Sequence, residues 1–259
     1  SGLYRVTYTG NESIRPDDGR SKAGARLRTR RRRLEAMHRP GSPEVIERAW
    51  RDLSHQDRHI RFAARVAVEH QPVERWQERA LAERDPLALV TASIALARNG
   101  DASLKPRLIA ALGRLKIKRL SEEQQLGLLR AYGLVSLRMG KPEGKQRAAI
   151  VKHVDALYPN VSPRLNRELC QLLAWLEAPG VVPRTLSLLK AASTQEEQMH
   201  YVLVLRKLKD GWTRDQRRSY FEWFNRAAAH RGGHSFAGFI QNIRNEAVEM
   251  LPDEEKQAL

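Results

Sequence analysis

The chain has 259 residues, a size that fits one large or two small domains and buries a sizeable core without disulfides or metals. Hydrophobic residues make up 41% and charged residues 29%, the balance of a globular protein, and no apolar run nears the roughly 18 residues of a membrane span. Net charge is +16, from 46 Lys plus Arg against 30 Asp plus Glu, and residues 1–39 are the most basic part, with 11 basic and 4 acidic side chains.

Residues 1–10 include Leu3-Tyr4-Arg5-Val6-Thr7-Tyr8, a partly alternating run of aromatic and β-branched residues that predicts an extended strand. A lone strand has no sheet of its own. Residues 11–24, with Pro16, Asp17, Asp18 and Gly19, predict a linker. Ser1-Gly2-Leu3-Tyr4 has neither the charged nor the apolar region of a signal peptide, and the absent initiator Met is expected of an excised fragment.

From residue 25 onward, apolar residues recur at spacings of three and four, between short Gly, Pro, Asp or Ser breaks. Helices are predicted over 25–38, 43–53, 58–70, 72–83, 86–98, 103–114, 121–139, 143–157, 163–177, 181–191, 195–209, 213–230 and 235–250. The expected fold is all-α: a HEAT-like α-α superhelix of about six helix pairs over 25–259, with a short N-terminal extended segment. Its clearest unit runs from Ser42 to His70. Val45, Ile46, Ala49, Trp50 and Leu53 form the stripe of the first helix, and Ile60, Ala63, Ala64, Ala67 and Val68 that of the second. The pattern Asp57-x-x-Ile60-Arg61-x-x-Ala64 matches a HEAT signature, with small alanines for close approach and Asp57 as cap. Echoes occur at Ala80–Pro86 and Ser162–Leu169. No unit buries its apolar stripe alone, so the units are expected to stack.

Arg30, Arg31, Arg32 and Arg33, preceded by Arg26 and Arg28, form a basic patch that could clamp phosphates or rest as a solvated face. Arg58, Arg61 and Arg65 lie at i, i+3 and i+7 and could form an anion-binding ridge or a ladder onto aspartates and carbonyls between repeats. Cys170 lies in Leu169-Cys170-Gln171-Leu172-Leu173, where a thiol packs as a small hydrophobe. Glu122-Glu123 and Glu196-Glu197 sit at helix starts, where they favour the dipole. The last pair is aromatic: Trp212, Tyr220, Trp223 and Phe236 either close the core or offer a docking surface. Between its helices, Arg231, Gly232, Gly233, His234 and Ser235 form a glycine turn whose following amides could meet an anion, against the plainer reading of an interhelical turn. His55 with His59 and His230 with His234 lack a third ligand at zinc-like spacing, so no metal site is expected. No C-x-x-C-H, G-x-S-x-G, H-E-x-x-H or P-loop occurs, and no cofactor is expected to be held by this segment.

The segments Leu3–Gly10, Ile60–Arg65, Leu165–Leu173 and Arg231–Phe239 together resemble large secreted bacterial proteins that join a sorbosone/glucose dehydrogenase-like β-propeller to HEAT repeats and a c-type cytochrome domain. The resemblance spans almost the whole chain. It implies a periplasmic or exported setting, a haem-containing dehydrogenase as parent, and a connector role for this segment, with residues 1–10 as the tail of a propeller blade. It transfers no catalytic residue. The expected function is a non-catalytic scaffold or protein-interaction module, bound to neighbouring domains or a protein partner. The alternative is a nucleic-acid binder of the HEAT-like DNA glycosylase type with a basic concave face. A third, weaker option, a lyase-type HEAT enzyme acting on a tetrapyrrole, has no residue that marks it.

Overall fold

The computed structural model describes residues 2–15 and 22–256. These residues form α-helices, short 3-10 turns and loops, with no strand among them and no helix long and apolar enough to cross a membrane. The helices are α1 (Ala25–Glu35), α2 (Glu44–Trp50), α3 (Arg58–Glu69), α4 (Gln77–Ala82), α5 (Pro86–Asn99), α6 (Lys105–Gly113) and α7 (Glu122–Arg138). They continue as α8 (Gly144–Val154), α9 (Pro163–Trp175), α10 (Val181–Ala191), α11 (Gln195–Leu205), α12 (Arg214–Ala227), α13 (Phe236–Glu249) and α14 (Asp253–Lys256).

The odd-numbered helices pack in series, α1 on α3, α3 on α5, and so on to α11 on α13. Even-numbered helices form a second layer, in which α4 meets α6, α6 meets α8, and α10 meets α12. Cross-layer contacts such as α2 with α3, α4 with α5 and α10 with α11 close the core between the layers. Alanines make the odd layer tight: Ala64 and Ala67 on α3, Ala92 and Ala95 on α5, and Ala131 on α7 are all fully buried. Side chains this short let helix axes approach to the lower end of the roughly 8–10 Å packing range.

Each helix from α3 to α11 in the odd layer is started by a side chain. Asp57 accepts from the amides of His59 and Ile60, and Asp85 from those of Leu87 and Ala88. Ser121 and Gln124 form a reciprocal capping box, while Ser162 and Thr194 cap α9 and α11. Such a cap satisfies amides that the helix leaves free. Ser121→Ala is therefore expected to cost about 1 kcal/mol, read as a lower urea midpoint with an unchanged slope.

Guanidinium groups also tie successive helix pairs together. Arg114 donates to the carbonyls of Leu81 and Glu83, Arg147 to that of Glu177, and Arg184 to those of Asp155 and Tyr158. These inter-pair bonds are made by arginines other than Arg58, Arg61 and Arg65.

Residues 2–9 carry no regular secondary structure, and Leu3, Tyr4 and Val6 are exposed. A strand is held by bonds to a neighbouring strand, and the described residues supply none, so the strand expected at the start is not formed. Within the linker, Pro16, Asp17, Asp18 and Gly19 fall outside the described residues, and Lys22–Gly24 is a 3-10 turn leading into α1.

Candidate functional site

The odd layer turns one face away from the even layer, and that face holds a groove. Its first part is about 390 Å³, lined by Arg61 of α3, Val90 and Ile94 of α5, Arg130 of α7, and Arg164 and Arg167 of α9. Its second part is about 930 Å³ and shares Arg130 and Glu168 with the first. Leu134 and Leu137 of α7, Leu172 and Trp175 of α9, and Leu203 and Val204 of α11 line it.

The first part carries four arginines against Glu123 and Glu168, and a further cluster around Glu69 lies on the same helices α3 and α5. Arg65 pairs with Glu69, and Arg98 from α5 reaches the same carboxylate at 3.2 Å. Burial lowers the pKa of the Arg65 guanidinium; Glu69 opposes this, and the positive charges of Arg98 and Arg130 add to it. Two guanidiniums, Arg65 and Arg98, therefore share one carboxylate. Arg130 itself forms no hydrogen bond or ion pair with any described residue, and it is exposed. Arg164 is held 3.3 Å from Glu122 and 3.5 Å from Glu123.

The second part is apolar at its floor and charged at its rim. Leu137 is 74% exposed and Trp175 52% exposed, values unusual for side chains of that size in a packed helical layer. Lys141 sits 5.3 Å from the Trp175 ring centroid and 2.6 Å from Glu177. Phe62 of α3 is 58% exposed beneath the Arg65 guanidinium, whose carbon lies 5.1 Å from the ring centroid.

No family model, curated protein or solved structure matches this chain.

Of the expected ridge, only part faces the groove. Arg61 lines it but donates to the carbonyls of His55 at 2.6 Å and Gln56 at 2.8 Å, which anchors the turn before α3. Arg58 is exposed, 3.4 Å from the His59 ring. Arg65 belongs to the Glu69 cluster. The basic patch sits at the first end of the stack, where Arg30 pairs with Asp52 and Arg31 lies 3.0 Å from Glu35, leaving Arg32 and Arg33 exposed.

Tyr220 and Trp223 are buried, which corrects the expectation of a docking surface at those two residues. The Tyr220 hydroxyl donates to the Val202 carbonyl at 3.0 Å and the Trp223 indole to Gln198 at 2.9 Å, so both close the end of the core. Trp212 is half-buried and donates to the Leu208 carbonyl, and Phe236 is half-buried over Gly232. A Cβ on Gly232 would stand 2.3 Å from that ring, so the first glycine is there for space. Arg231 exchanges hydrogen bonds with Gln195 at the start of α11, at 3.2 and 2.7 Å. Gly233, His234 and Ser235 are exposed, and Ser235 does not cap α13. The glycine turn is therefore a connector tied to its neighbour.

Cys170 is buried against Thr185, and burial pushes its thiol pKa up to about 11. No group of three His, Cys, Asp or Glu side chains that could hold a metal occurs among the described residues.

Reading the sequence alone missed Arg98, Arg130, Arg164, Arg167 and the exposed Leu137 and Trp175. One signal was present: Arg65, Arg98, Arg130, Arg167 and His200 stand 33, 32, 37 and 33 residues apart, one per odd helix. Spacing at the length of a helix pair marks residues that stack on one face.

His200 closes that row in the wall of the groove, with its Nε2 3.1 Å from the Arg167 carbonyl. Burial lowers its pKa below the ordinary 6.5, against the bond to that carbonyl, while Arg167 lowers it and Glu168 and Glu197 raise it. The unfolded chain then takes up the proton at higher pH than the folded one, so stability falls as pH drops from 6.5 through the lowered value. His200→Gln is expected to flatten this part of the pH profile. Urea midpoints of both proteins at about pH 7.5 and 5.5 measure it.

Proposed function

We propose that the chain is a non-catalytic, HEAT-like helical scaffold whose groove face receives a segment of a protein partner or a neighbouring domain. The observation that carries this reading is the pairing, in one groove, of exposed apolar side chains with an unpartnered arginine: Leu137 and Trp175 beside Arg130. Large apolar side chains left in a concave face gain free energy when a partner covers them. A duplex-binding face needs cations aimed at phosphates along its length, and the leucines and valine of the second part give a sugar-phosphate backbone nothing to bind. The glycosylase-like alternative is supported by the net charge of +16 and by the exposed Arg32 and Arg33.

The resemblance to propeller, HEAT and cytochrome proteins supports a place as connector within a larger haem-containing oxidoreductase. The adjoining coding sequence tests that setting, since a propeller upstream and C-x-x-C-H downstream are expected. The scaffold role is tested by a photo-crosslinking amino acid placed at position 137 in cells. A crosslink to one defined polypeptide segment, absent when the probe stands at exposed Ser219 of α12, is expected. Crosslinks to nucleic acid alone, or none above the Ser219 control, overturn the role.

A further inference from the structure

We infer that the groove binds an extended polypeptide segment of about a dozen residues, with carboxylates against the arginine row and large apolar side chains against the leucine and tryptophan floor; the inference rests on the scaffold reading. The groove crosses five helices in series, α3 to α11. At roughly 8–10 Å between neighbouring helix axes this is about 40 Å, the reach of about 12 residues of extended chain at ~3.3 Å each.

Charge decides the chemistry of one half. Arg61, Arg130, Arg164 and Arg167 line that half against Glu123 and Glu168, and of these arginines the side chains of Arg130 and Arg167 have no partner among the described residues. Side chains that repel one another in a partly buried row are relieved by an anion that reaches more than one of them. The planar guanidinium matches a carboxylate by two parallel bonds, and an extended chain can present one to successive helices. Apolar exposure decides the other half, where Leu134, Leu137, Trp175, Leu203 and Val204 line the larger cavity. Arg130 lies where the halves meet, so a single segment touches both.

The experiment is selection of a displayed library of random 12-residue peptides on the full chain, followed by fluorescence anisotropy of the winning peptides. Enrichment of Asp or Glu together with Leu, Ile, Phe or Trp is expected. Arg130→Glu is expected to weaken the selected peptide about tenfold or more, and raising the salt is expected to weaken it further. Trp175→Ala is expected to weaken it by a similar factor. Both side chains are exposed, and a thermal melt checks that each variant folds.

The inference is overturned if no peptide enriches, if the enriched peptides are basic or uncharged, or if both variants bind them as the parent does. It is equally overturned if a 20-nucleotide duplex displaces the peptides and itself shows a steep salt dependence that Arg130→Glu removes. Crosslinking from position 137 to a segment without carboxylates sinks this inference and leaves the scaffold role standing.

Discussion

Replacing Trp76 by alanine is expected to lower the unfolding free energy by about 3–5 kcal/mol, the range for deleting a large buried aromatic. Trp76 is fully buried at the junction between a 3-10 turn, Val73–Arg75, and α4. Its indole donates to the Gln71 carbonyl at 3.2 Å. Gln71 is a buried hub, since its side chain also accepts from the amide of Gly41 and donates to the carbonyls of Arg39 and Ala67, each at 3.0 Å. Loss of Trp76 therefore removes apolar burial and loosens the connection between α1, α2 and α3 at once. Trp76→Phe keeps most of the ring volume and leaves the carbonyl without its donor, an expected loss of about 1–3 kcal/mol. Urea unfolding of the three proteins orders them, and a phenylalanine variant as unstable as the alanine one would show that the bond outweighs the volume.

The second large effect is expected at Gly127, where α7 crosses α5. A Cβ built there stands 3.0 Å from the Val90 methyl, closer than ordinary contact, although the glycine lies in the middle of a helix. Alanine sets the helix-forming gain over glycine, about 1 kcal/mol, against a shift of a few tenths of an ångström. Valine has no such margin, because its two further carbons grow from the same crowded point. Gly127→Val is expected to cost about 1–3 kcal/mol by overpacking. Val90→Ala in the same chain removes the methyl that is struck, so the double variant is expected to be more stable than the sum of the singles by about 0.5–3 kcal/mol. Additive losses would place the strain elsewhere.

The helices were legible because their apolar stripes and caps lie within single segments. Asp57, Asp85-Pro86 and Ser162-Pro163 each announce a start, and the structure begins α3, α5 and α9 there. Where the sequence and structure differ, tertiary packing decides. The helix expected over 72–83 breaks at Trp76, whose backbone leaves helical geometry at φ −135° as its indole enters the core. The run over 143–157 leaves the α-helix at Val154 and ends in a 3-10 turn. Four residues after Pro252 form α14, too short to show a periodic stripe. The groove was harder to see, because one residue in about 33 is invisible to a window that looks for three- and four-residue spacing. Arg58, Arg61 and Arg65 looked like a ridge by that short rule, while the row that forms runs across helices through Arg65, Arg98, Arg130 and Arg167.

The packing of each odd helix on the next has a consequence for how the chain reaches this structure. Arg114, Arg147 and Arg184 all find their carbonyl partners within 33 residues along the chain, and α12, which carries Tyr220 and Trp223, packs on its chain neighbours α10 and α13 and bonds to α11. Contacts this local demand little loop closure, the condition under which helical proteins fold fastest. A nascent chain can thus dock each helix on the one before it as it leaves the ribosome, with the completed end serving as template for the next turn of growth.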